Sequence, residues 1–215
     1  MIRVDVEQGT KAWLDAKIGI PGASSFHKII TPKTGKMSAS AAGYCHELLA
    51  EQLIGRPLDD ATSDFMQRGT IMEHEARKWY ELQTDYDVEQ VGFLLRDDRS
   101  AGCSPDGLIG TDGGLEIKCP AAHTHVGYLL GDAQEKYRCQ IQGGLWITER
   151  QWWDFCSYNP ELPPVMIRFQ RDDEFIAKLA ECVAQFTEYM HESKLKLQAM
   201  GLFEDFEFPP MRIVA

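Results

Sequence analysis

The stretch Cys103-Ser-Pro-Asp-Gly-Leu-Ile-Gly-Thr-Asp-Gly-Gly-Leu-Glu-Ile-Lys-Cys-Pro120 decides how the rest of the chain is read. Two short apolar runs, residues 107–109 and 115–118, flank Gly110-Thr-Asp-Gly-Gly114, a strand–turn–strand pattern. Side chains alternate along a strand, so Glu116 and Lys118 share a face. A turn centred near Asp112 sets residue 108 opposite Glu116 and Asp106 opposite Lys118. Any register whose paired numbers add to an even value keeps Asp106 on that face; a slip of one residue sends it to the other. Two carboxylates and an amine on one sheet surface suit phosphodiester hydrolysis. Carboxylate oxygens are hard ligands for Mg²⁺, which stabilises attacking and leaving oxygens. A neighbouring ammonium orients water and counters phosphate charge. By themselves the three residues also describe a solvated surface hairpin.

Outward from the hairpin, residues 135–147 read as a helix and residues 151–158 and 165–169 as strands. A long helix follows from Asp172 to about Gln198, with Ile176, Leu179, Val183, Phe186 and Met190 as its apolar stripe. Upstream, residues 87–95 read as one strand and residues 40–55 as a helix. Thr62-Ser63-Asp64 offers caps for a helix to about Gln83, whose Phe65, Met72, Ala76 and Trp79 fall at helical spacing. There is no internal repeat, low-complexity tract or clear linker. The pattern predicts one α/β domain over residues 1–215, with a catalytic core at about 60–170 and a C-terminal helix at about 172–198.

The net charge of −11, from 33 acidic and 22 basic residues, argues against a protein that coats nucleic acid electrostatically. A locally positive groove is still compatible with it. Residues 11–36 carry Lys11, Lys17, Lys28, Lys33 and Lys36 against Asp15 alone, and residues 28–36 form a basic loop with Pro32 and Gly35. Six cysteines (Cys45, Cys103, Cys119, Cys139, Cys156 and Cys182) contain no CxxC pair, which points to reduced, structural thiols rather than a zinc or iron–sulfur site. His123 and His125 lack further ligands at metal-binding spacing. No apolar run approaches the roughly 18–20 residues that span a bilayer, and residues 1–7 lack a signal-peptide core. The expectation is a cytosolic protein without a membrane partner.

Pro105-Asp106 with Glu116-Ile117-Lys118 matches the PD-(D/E)xK nuclease signature. The longer strings, residues 103–108 and 115–120, resemble those of the phage lambda exonuclease family, also called the YqaJ-like viral recombinases. Val6-Glu-Gln-Gly…Ala12-Trp13, Gly69…Glu73-x-x-Ala76-Arg77 and Gln140-x-Gln142…Trp146-x-Thr148 fit the same family in the same order.

The resemblance implies a restriction-endonuclease-like fold, a central mixed β-sheet flanked by helices. It also implies processive 5′-to-3′ digestion of double-stranded DNA, releasing mononucleotides and leaving a 3′ single strand for recombination by strand annealing. A ring-shaped homotrimer, a phage single-strand annealing protein as partner, and the cytoplasm of a bacterial host come with it. So does a two-metal site for Mg²⁺, with Mn²⁺ as a substitute.

Carried over by position, the resemblance makes Asp106, Glu116, the Ile117 carbonyl and Glu73 metal ligands, Lys118 the catalytic lysine and Gln140 the active-site glutamine. Lys17, Ser24 and Ser104 fall where the family holds the 5′-phosphate, Lys17 replacing an arginine and so losing its planar two-pronged contact. Lys33 matches a residue entering the DNA groove and Met66 one that wedges the terminal base pair. Ala121-Ala-His-Thr-His125 replaces a stretch bearing an arginine in the family, so the resemblance assigns that contact to no residue here. Trp13 reads as packing. Residues 105–118 alone also fit a PD-(D/E)xK endonuclease of restriction or repair type, or a non-catalytic DNA-binding subunit on the same fold.

Overall fold

The hairpin lies at the centre of a five-stranded mixed sheet. The computed structural model describes residues 1–58 and 64–203, with the backbone alone for residues 64–71. The chain runs β1 (Ile2–Val4), α1 (Lys11–Lys17), a 3₁₀ turn (Ala23–Lys28), α2 (Ala41–Ile54), α3 (Asp64–Thr84), β2 (Val88–Glu89), β3 (Phe93–Leu95), β4 (Gly102–Cys103), β5 (Gly107–Ile109) and β6 (Gly113–Lys118). It continues through α4 (Ala122–Leu129), α5 (Ala133–Thr148), β7 (Trp152–Asn159), β8 (Leu162–Gln170) and α6 (Asp173–Ala199). The main sheet has the order β2-β5-β6-β7-β8, antiparallel except for the β6–β7 pair. That parallel pair requires a crossover, which α4 and α5 supply. A smaller antiparallel sheet, β1-β3-β4, stands beside it.

Helices cover both faces of the main sheet. Ala76 and Tyr80 of α3 pack on Leu115 and Ile117 of β6 and on Cys156 of β7. On the other face Trp153 and Phe155 of β7 join α2, α5, α6 and the 3₁₀ turn in the larger core. Each such aliphatic or aromatic side chain taken out of water contributes about 1.5–3 kcal/mol. The α6 stripe falls as its periodicity requires, with Ile176, Leu179, Val183 and Phe186 buried and Met190 packed at the edge. Asp172 caps it by accepting from the Phe175 amide at 3.0 Å. Among the described residues no helix is long and apolar enough to cross a membrane.

Three sequence expectations need correction. The hairpin pairs Gly107 with Leu115 and Ile109 with Gly113, so its numbers add to 222 and it turns one residue earlier than at Asp112. The sum is still even, and Asp106 therefore lies across from Glu116 rather than Lys118, on the same face. Gly113 and Gly114 belong to the strand, not the turn. The rings of Trp152 and Trp153 cover them so closely that an added Cβ would lie 2.2 and 2.3 Å from ring carbons. Residues 87–95 form two strands in different sheets. The break falls at Gly92, where a Cβ would meet the Val6 carbonyl oxygen at 1.9 Å as the chain squeezes past the N-terminal segment. The short β1, β4 and α4 add to the elements predicted. The candidate caps Thr62 and Ser63 lie outside the described residues.

Candidate active site

Asp106 stands just before β5. Its amide donates to the Leu115 carbonyl at 3.1 Å, and its Oδ2 accepts from the Ile117 amide at 2.6 Å. The hairpin backbone thus fixes the carboxylate beside β6. Glu116 is only 4% exposed, so its charge must be met locally. Its Oε1 accepts from the Lys118 ammonium and from Gln140 Nε2 at 2.6 Å. Strand alternation brings Glu116 and Lys118 to one face, and α5 lays Gln140 over them. Asp106, Glu116, Lys118 and Gln140 line one cleft of about 210 Å³.

Burial pushes the Asp106 carboxyl well above the usual range; the charge of Glu116 adds to the shift, Glu73 contributes less, and Lys118 opposes it. Burial works against the Lys118 ammonium, but Glu116 and Asp106 outweigh it and raise its pKa. Burial leads that shift, and a cation held between the two carboxylates would oppose it. The available donors, two carboxylates and the Ile117 carbonyl, are hard oxygens of the kind Mg²⁺ takes, so the residues fit that ion. Among the described residues no three His, Cys, Asp or Glu side chains cluster as a ready-made metal cage. Glu73 is close enough to act on the Asp106 charge, but its Oε1 is taken up by Arg77 Nη2 at 2.6 Å.

The same cleft gathers Lys17, Ser24 and Ser104 from α1, the 3₁₀ turn and the residue after β4. Trp13 and Gln8 line it too. The Trp13 indole N–H donates to Ser104 Oγ at 2.8 Å, and Lys17 Nζ sits 3.7 Å from the centroid of the Trp13 ring. An indole N–H only donates, so Ser104 is the acceptor in that bond and its own hydroxyl proton is free for another partner. Burial lowers the Lys17 pKa to about 8, with Glu51 partly offsetting it. Gln8 donates to the Val91 and Pro105 carbonyls at 2.8 and 2.9 Å, tying the N-terminal segment to the Pro105-Asp106 turn.

Lys33 does not enter this cleft. It pairs with Glu135 at 3.2 Å and borders a separate depression with Arg138 and Lys178. The Met66 side chain lies outside the described residues. His125 is buried, its ring nitrogens bonded to Ser157 Oγ at 2.8 Å and the Pro163 carbonyl at 2.9 Å, a role in holding α4 on β7 and β8. All six cysteines are free, and burial raises the thiol of Cys103 and pushes that of Cys119 up to about 12. Trp13, Gln8 and Arg77 were not assigned site roles from sequence. Trp13 reads as an ordinary apolar helix residue, and a lone Gln or Arg carries no pattern that marks it. The signal available was their place inside the matched strings.

The model of the YqaJ-like viral recombinase domain matches residues 12–151. The alkaline exonuclease LHK-Exo from Laribacter hongkongensis is 33% identical, with a TM-score of 0.80 over 89% of this chain and 98% of that one. Its crystal structure in complex with dAMP superposes equally well, at 32% identity, a TM-score of 0.80 and the same 89% and 98% coverage. A phage-related exonuclease from Haemophilus somnus 129PT, 18% identical, shares the fold with a TM-score of 0.69 over 83% of this chain and 96% of that one. By the family match and by likeness along nearly the whole length of a solved relative, the chain belongs to the YqaJ-like viral recombinase family.

Proposed function

We propose that this protein is a Mg²⁺-dependent exonuclease that digests one strand of duplex DNA from a 5′ end, releases mononucleotides and leaves a 3′ single strand. One observation carries the reading: a single cleft holds the acidic, lysine and glutamine group together with Lys17, Ser24 and Ser104. The first set suits hydrolysis and the second suits a terminal phosphate. A relative crystallised with dAMP, a 5′-mononucleotide, supports it. Mn²⁺ substitutes for Mg²⁺ in this reading. A ring-shaped homotrimer and a phage single-strand annealing protein complete it.

Asp106, Glu116 and the Ile117 carbonyl would hold the metal, with Glu73 completing a second site. A metal held there would supply Lewis-acid chemistry, lowering the pKa of a water and countering charge on the phosphate oxygens. Lys118, held against Glu116, presents its ammonium to the scissile phosphate and the attacking water. Gln140 fixes the second contact on Glu116 Oε1 and keeps that carboxylate from turning away. Lys17 supplies charge to the terminal phosphate; Ser24 and Ser104 supply hydroxyl donors. Lys33 enters the DNA groove, and Met66 takes the family position that wedges the terminal base pair.

A time course on end-labelled duplex with Mg²⁺ tests polarity and pocket together. Loss of a 5′ label as mononucleotide, faster for 5′-phosphate than 5′-hydroxyl ends, is expected. Covalently closed circular duplex should persist; cutting it as fast as the linear form would replace this reading with an endonuclease.

A further inference from the structure

Arg77 lies within a matched string yet has no part in the mechanism above. It is 8% exposed, on the α3 face that packs against β6. Its Nη2 donates both to Glu73 Oε1 at 2.6 Å and to the Asp106 carbonyl at 3.2 Å. One nitrogen therefore joins the helical carboxylate to the backbone of the hairpin carboxylate. The Gln90 amide, with its oxygen toward the guanidinium, accepts from Arg77 as well. The arrangement is incomplete on both sides. Arg77 Nε is buried with no acceptor among the described residues. Among the described residues Glu73 bonds through one oxygen only, and its side chain is 33% exposed. A two-pronged pair would add a second bond and geometric fixity. A single-pronged, half-open pair is one that a competing cation can break.

The charges point the same way. Glu116 is met by Lys118 and Gln140, and among the described residues Arg77 is the cation paired with Glu73. We infer that Arg77 is a positioning residue that holds Glu73 as a stand-in cation and gives it up when a divalent cation binds, so that Arg77 sets cation affinity on the Glu73 side of the site. This rests on the metal-site reading proposed above.

Mn²⁺ binding by titration calorimetry, without DNA and on the full chain, tests it independently of turnover. Arg77→Gln removes the competing charge and should tighten Mn²⁺ binding at least about fivefold, within the tenfold or more that one unit charge exerts on an ionisable neighbour at this range. Adding Glu73→Gln should abolish that gain, leaving the double variant no tighter than Glu73→Gln alone. Arg77→Lys keeps the charge, and its affinity should stay within about twofold of native. It also carries the test if circular dichroism shows Arg77→Gln unfolded: a change beyond fivefold in the lysine variant overturns the inference. Native-like Mn²⁺ affinity in folded Arg77→Gln, or a gain that survives Glu73→Gln, overturns this inference alone. Absence of Mn²⁺ uptake by the native protein overturns it together with the metal-site reading.

Discussion

Lys118 and Lys17 are two lysines of one cleft with opposite electrostatics. Lys118 is held protonated by Glu116 and Asp106, so its charge persists through the working pH range. Replacing it with alanine should lower turnover at least about 100-fold, the scale of removing one electrostatic stabiliser. Binding of duplex in Ca²⁺ should survive, as anisotropy would report. Lys17 is different, because burial lowers its pKa to about 8. A lowered lysine pKa means the ammonium is present below that pH and lost above it. In the free enzyme, then, the advantage of 5′-phosphate over 5′-hydroxyl ends in kcat/KM should shrink as pH rises through about 8. Lys17→Arg, which stays charged, should flatten that profile; an unchanged profile would remove Lys17 from the phosphate site. Lys17 could be placed from sequence only through its position in the family pattern. Its seat on the Trp13 ring could not, since nothing in an isolated Trp-x-x-x-Lys spacing says that the amine folds back on the indole.

At the scale of elements, the hairpin was the most legible feature, and parity is the reason. Alternation fixes faces, so an error of one in the turn centre shifted the partner of Asp106 by two residues without moving it to the other face. What the sequence hid was the reason for Gly113-Gly114. Glycines beside a turn read as part of it, and only the tryptophans of β7, 39 residues along the chain in each case, reveal that they mark space for rings. The split of residues 87–95 was hidden likewise, because the obstacle is the Val6 carbonyl from the far end of the chain. The turn itself is held by Arg150. This buried guanidinium donates through Nη1 to the carbonyls of Ile109, Gly110 and Gly113 at 3.1, 2.9 and 2.7 Å. Arg150→Ala leaves three carbonyls without their donor and should cost about 2–4 kcal/mol. Urea unfolding would measure it, and a loss below about 0.5 kcal/mol, the range of ordinary surface substitutions, would show that the clamp is not needed.

Across the whole molecule, two sheets contribute one wall each to the cleft. The smaller sheet with α1 and the 3₁₀ turn brings Lys17, Ser24 and Ser104; the larger brings Asp106, Glu116 and Lys118. Against an overall charge of −11, the cleft itself carries Lys17 on one wall and Lys118 on the other. The passage from one wall to the other is the tripeptide Ser104-Pro105-Asp106, with Gln8 bonded to its middle carbonyl. Proline fixes one of its torsions, and three residues can separate the two outer Cα atoms by no more than about 7 Å. Such a strut is a built-in ruler. Under the proposed function it would set how far the scissile bond lies from the bound DNA end, whatever the base sequence, so each bite should have the same length. Chromatography of early digestion products should show one size class. A glycine inserted between Ser104 and Pro105 should lengthen the gauge and blur that class, whereas a uniform product from the inserted variant would mean that the bite is metered elsewhere.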